Sequence, residues 1–223
     1  MATPVFTMGS DSRELETAAA NCSFCAVGGL FNKSAQQVMA TVFGMLGKPT
    51  PTGSEGDECG EVWVRLYEHL TGAKVKAEGQ GYLDGQIKGI CKFVEACRCK
   101  VGVIGNVKDP LRADQIVEEC RKLARGTAFL LLTADDDGLG MAGLAHWVSG
   151  QVQEDGSPKF FDYQLKFSDG EMLDAVLRRS RLTGNRRACF SQNAPYASDR
   201  PLSPWGAELD KDDGRGVIIT VTK

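Results

Sequence analysis

Histidine is almost missing from this chain: 223 residues contain two, His69 and His146. Any chemistry that needs an imidazole has only those candidates. Long hydrophobic runs are missing too. The longest, Thr127–Thr133 (TAFLLLT), is strand-sized and far below the roughly 20 residues of a membrane-spanning helix, so no membrane association is expected. Met1–Ser10 carries no basic start leading into an apolar run, so no secretory leader is expected there. Neither charge dominates. The 26 Lys+Arg and 29 Asp+Glu give a net charge of -3, which excludes the basic field of a nucleic-acid-binding surface.

What is present allows a real core. An apolar share of 42% with 25% charged residues argues against wholesale disorder. The length suits one generous domain over 1–223. Helix is expected at Ser12–Ala20, at Cys22–Phe31 (apolar on nearly all sides) and at Ala35–Leu46, the last opened by a Ser34/Gln37 capping box and ended by Gly47. A surface loop at Lys48–Cys59 leads to a helix at Glu61–Leu70, with Val62, Leu66 and Leu70 in register.

The middle of the chain alternates. Lys74–Ala77 reads as a short strand, Gln86–Cys97 as helix, Lys100–Val107 as strand and Arg112–Leu123 as helix. Thr127–Thr133 is the clearest buried strand. Asp135–Gly143 reads as an acidic, glycine-rich connection. Leu144–Val152 and Lys159–Gln164 form a hairpin around Glu154-Asp155-Gly156. A second capping box, Ser168 with Glu171, opens a helix to about Arg179. The motif-bearing core is expected at about 12–180. Residues 181–223 read as an irregular, proline-punctuated extension, with a closing strand available at Val217–Val221. The fold class is α+β: helices first, antiparallel strands late.

Cysteine is the plentiful reactive residue, at 22, 25, 59, 91, 97, 99, 120 and 189. Without a leader, reduced thiols are expected rather than a disulfide framework. Cys22-Ser-Phe-Cys25 has zinc-knuckle spacing, but Cys97-Arg-Cys99 has the wrong gap for a second ligand pair, so no metal and no cofactor are expected. Cys91, Cys97 and Cys120 fall on apolar helical positions, where a thiol serves as a small hydrophobe.

Cys22 is different because it stands at a helix start. There, unpaired N–H groups and the positive end of the helix dipole favour a thiolate and an oxyanion. Cys25, nearly one turn further in, is the alternative nucleophile; position alone favours Cys22. His69, on an amphipathic helix, reads as a solvated surface residue. His146 lies within the first strand of the hairpin, and the turn brings Asp162 opposite or diagonal to it. A carboxylate there fixes the imidazole tautomer and stabilises its charged form, which completes a Cys-His-Asp triad. Strand alternation puts Gln164 on the face of Asp162, as a substrate-orienting or an edge residue. Asn21 is an oxyanion donor or a helix cap. Trp147 points away from His146, into the core.

Asn21-Cys22-Ser23-Phe24-Cys25-Ala26, His146-Trp147 on a strand, and Asp162-Tyr163-Gln164, in that order, resemble the papain-like toxin domain family. The resemblance spans Asn21–Gln164 through three short anchors, and their order is the informative part. It implies a papain-like fold and a cysteine-dependent hydrolase acting on a protein substrate, either as a peptidase or as a glutamine deamidase. It assigns the nucleophile to Cys22, the base to His146, the orienting acid to Asp162 and the motif glutamine to Gln164. It further implies an effector that works in the cytoplasm or is delivered into a target cell without a signal peptide, and it leaves room for a cognate immunity or inhibitor protein. A non-catalytic interaction protein on the same scaffold is the competing class.

Overall fold

A computed structural model describes residues 22–50, 59–76, 79–135, 145–163, 196–201 and 214–223. In chain order these form α1 (Cys22–Phe31), α2 (Ala35–Met45), α3 (Cys59–Thr71), α4 (Gly79–Ala96), β1 (Lys100–Ile104), β2 (Leu111–Arg112), α5 (Ala113–Lys122), β3 (Ala128–Asp135), β4 (His146–Val152), β5 (Pro158–Asp162), β6 (Tyr196–Ser198) and β7 (Gly214–Thr222). The architecture is α+β. Every strand pairing is antiparallel, in the order β1-β7-β3-β4-β5-β6, with β2 also on β7. Among the described residues, no helix is long and apolar enough to cross a membrane.

The sheet is covered on both faces. One face meets α1 to α4 through Phe24, Val38, Trp63, Leu66, Ile90 and Phe93, packed against Leu130, Leu132, Trp147, Val217 and Ile219. The other meets α5, whose Ile116 and Cys120 pack on Phe129, Leu131, Val148, Phe160 and Ile218. Alternate residues of β3 thus enter different cores. That explains why its sequence is uniformly apolar instead of alternating.

Local chemistry sets several boundaries. The Ser34 hydroxyl accepts from the Gln37 N–H at 3.0 Å and the Gln37 side chain accepts from the Ser34 N–H at 2.9 Å, the capping box expected for α2. Gly47 follows with φ +67°. In the β4–β5 turn, Asp155 Oδ1 accepts from the Ser157 N–H at 2.8 Å, and Gly156 takes φ +85°.

Four expectations change. Residues 74–76 form no strand, because the local backbone bonds to α3 side chains: Val75 N–H donates to Glu68 at 3.0 Å and Ala73 N–H to Thr71 at 3.2 Å. Helix α4 starts seven residues before Gln86, through a Gly-rich stretch whose low helix propensity is overridden by packing. Leu70 is 44% exposed, while Val62 and Leu66 on the same helix are buried. Where it is described, the stretch expected as irregular is part of the sheet, and its available closing strand at Val217–Val221 is present within β7. β7 lies between β1 and β3 inside the sheet, and β6 pairs with β5. The run Gly216–Val221 supplies the apolar residues that both cores need. The helices expected at 12–20 and 168–179, and nearly all of the acidic connection, lie outside the described residues.

Helices α3 and α4 approach closely at Gly89, where a Cβ would run into the Trp63 carbonyl oxygen. Gly89→Ala would gain helix propensity but force the helices apart. It is expected to lower stability by about 1–3 kcal/mol, read as a drop in the urea midpoint, as overpacked cores do.

Candidate active site

Helix α1 sits on β4 with its apolar sides in the core. The approach is tight: at Gly29 a Cβ would collide with the Tyr163 ring, so glycine is what lets the helix lie against the hairpin. This seating leaves Cys22, the first residue of α1, half-buried at the helix N-terminus. Cys25 is only 2% exposed and belongs to the core cluster. Of the pair, Cys22 is the thiol that reaches both solvent and an imidazole.

His146 opens β4 and Asp162 closes β5, at the same end of the hairpin. The pairing Ser149↔Phe161 sets Asp162 opposite Val148, and so diagonal to His146. Their side chains meet: His146 Nε2 and Asp162 Oδ2 are 2.6 Å apart, with the residues 5% and 1% exposed. With Nε2 committed to Asp162, the ring nitrogen left for Cys22, which also hydrogen-bonds the imidazole, is Nδ1.

The electrostatics follow from this arrangement. Burial disfavours the charged ring. The Asp162 carboxylate outweighs that by charge and hydrogen bond, Cys22 adds to it, and the imidazole is raised to about 10. The other thiols differ. Burial pushes Cys91 up to about 11 and Cys120 up to about 12, which keeps both as inert thiols at neutral pH.

The structure therefore brings together Cys22, His146 and Asp162. It keeps Cys25 in the core and His69 exposed on α3. Asn21 and Gln164 lie outside the described residues. Trp147 is buried as expected, and its indole N–H donates to Gln86 Oε1 at 3.2 Å. On the other side of the site, the Trp63 indole N–H donates to Ser23 Oγ at 2.9 Å. Sequence reading missed Trp63, Gln86 and Ser23. Their only signal was polar atoms on otherwise core-facing positions. No group of three or more His, Cys, Asp or Glu that could hold a metal occurs among the described residues. No protein-family model matches the chain, and no curated protein matches it.

The His146 pair makes stability pH-dependent. A histidine raised above its unfolded value of roughly 6.5 adds stability that is complete below that pH and lost as pH rises through about 10. The urea midpoint of the wild type is expected to fall between about pH 7 and 10. Asp162→Asn should flatten that component and lower stability by about 3–5 kcal/mol at neutral pH, because the buried imidazole loses its counter-charge.

Proposed function

We propose that this chain is a cysteine-dependent amide hydrolase of papain-like type, acting on a protein substrate. The observation that carries the reading is the buried His146–Asp162 pair at 2.6 Å, with Cys22 at the N-terminus of α1 on the same imidazole. A helix bearing the thiol and packed on an antiparallel sheet bearing His and Asp agrees with the papain-like resemblance. Helix first, sheet later is also the chain order of that motif.

In this mechanism the resting pair has the Cys22 thiol proton already on His146, and the thiolate attacks the carbonyl carbon of the scissile amide. The first-turn N–H groups of α1 have no partner within the helix and face the developing oxyanion. The tetrahedral intermediate collapses as His146 gives its proton to the departing nitrogen. Water, deprotonated by His146, then hydrolyses the thioester and frees Cys22. Asp162 keeps the ring oriented and stabilises its charge throughout.

Peptide-bond cleavage is the reading we favour, with the chain acting as an effector inside a target cell. The same triad serves glutamine deamidation, and the departing nitrogen separates the two: a peptide amine in one case, ammonia in the other.

The test is expression of wild type and Cys22→Ala in a bacterial cytosol, followed by proteomics of both. Wild type should arrest growth and produce new peptide termini, and Cys22→Ala should lower their yield by about 10³-fold or more. Gln-to-Glu conversions without new termini would replace the peptidase by a deamidase. Identical proteomes would contradict hydrolysis altogether and leave an interaction protein.

A further inference from the structure

The residues flanking the reactive groups are tied to a single structural unit. Ser23 follows Cys22, and its hydroxyl accepts from the Trp63 indole on α3 at 2.9 Å. Trp147 follows His146, and its indole donates to Gln86 on α4 at 3.2 Å. All four side chains are buried.

Helices α3 and α4 interlock at those same residues. Gly89 of α4 lies against the Trp63 backbone, and Gly60 of α3 lies against the Gln86 amide. The Trp63 ring stacks on Phe24 of α1 at 4.8 Å and meets Phe93 of α4 edge-on at 5.6 Å. A third tether holds the base strand: the Thr133 hydroxyl donates to the His146 carbonyl at 3.3 Å.

We infer that Trp63 and Gln86 are positioning residues, and that the α3–α4 pair sets the distance between Cys22 and His146 through the Trp63–Ser23 and Gln86–Trp147 hydrogen bonds. The inference rests on the proposed Cys-His-Asp chemistry. Cys22 and His146 come from different layers, a helix and a sheet, so nothing in either element alone fixes their separation. Buried indole N–H groups need acceptors, and a core seeking stability alone would use Phe and Leu at these positions. Here both hydrogen bonds hold a residue next in sequence to a reactive one, and both lead to the same helix pair. Misplacement by about 1 Å is enough to cost roughly 10²-fold in a two-group reaction.

The test is the rate and pH profile of Cys22 alkylation by iodoacetamide, resolved by peptide mass spectrometry, with half-buried Cys99 as internal reference. Ser23→Ala and Trp63→Phe break one bond; Gln86→Leu and Trp147→Phe break the other. Each variant should slow Cys22 about 10- to 100-fold relative to Cys99 and move its pH profile toward that of His146→Ala. The two variants of one bond should not add when combined, since each removes the same interaction. Where one variant fails to fold, the other variant of that bond reads out the same contact.

A merely structural role predicts lower urea midpoints with the wild-type Cys22 rate ratio and pH profile intact. That result would overturn the inference while leaving the hydrolase reading standing. Wild-type Cys22 reacting no faster than in His146→Ala would overturn both.

Discussion

A charged pair buried at the end of a β-hairpin is the constraint on which the rest depends. His146 and Asp162 meet at 2.6 Å with almost no solvent around them. Removing two charges from water costs several kcal/mol per ion, and their attraction repays this only when geometry is held tightly. The hairpin register supplies that geometry by placing the two residues diagonally. A one-residue slip of β5 would send Asp162 to the face opposite His146. Apolar side chains would fill this space without that cost, and the presence of the pair instead is what favours the proposed chemistry.

The support is two-sided. α1 brings Cys22 from the helical layer, while β4 and β5 bring the imidazole and the carboxylate from the sheet. The sheet is closed late in the chain. β7, the last strand, separates β1 from β3 and feeds both cores. Among the described residues, β1 joins the sheet only through β7, across more than a hundred residues of sequence. Such non-local pairing delays sheet assembly until the C-terminal segment is available.

Several parts of this are legible in the sequence. The helix at Cys22–Phe31, the Ser34 capping box, the buried strand through Leu130 and the hairpin around Gly156 were all announced by local chemistry. So was the approach of Asp162 to His146, because hairpin register is set by a short turn. Other parts were hidden for identifiable reasons. The start of α4 was masked by Gly79, Gly81 and Gly85, whose low propensity is outweighed by close helix packing. Val75 looked like a strand residue, but its N–H is captured by Glu68. The central place of β7 depends on partners 79 or more residues away, which no local pattern encodes. The tethers from Trp63 and Gln86 were invisible for the same reason: each links positions 40 or 61 residues apart.

The central claim is that His146 is held in its charged form between Asp162 and Cys22. Its most direct measurement is an NMR titration of isotope-labelled histidine, with the two ring signals assigned by His146→Ala. The account predicts that His146 stays protonated through neutral pH and titrates near 10, and that Asp162→Asn lowers its midpoint. A midpoint near the ordinary value of roughly 6.5, unchanged in Asp162→Asn, would contradict it.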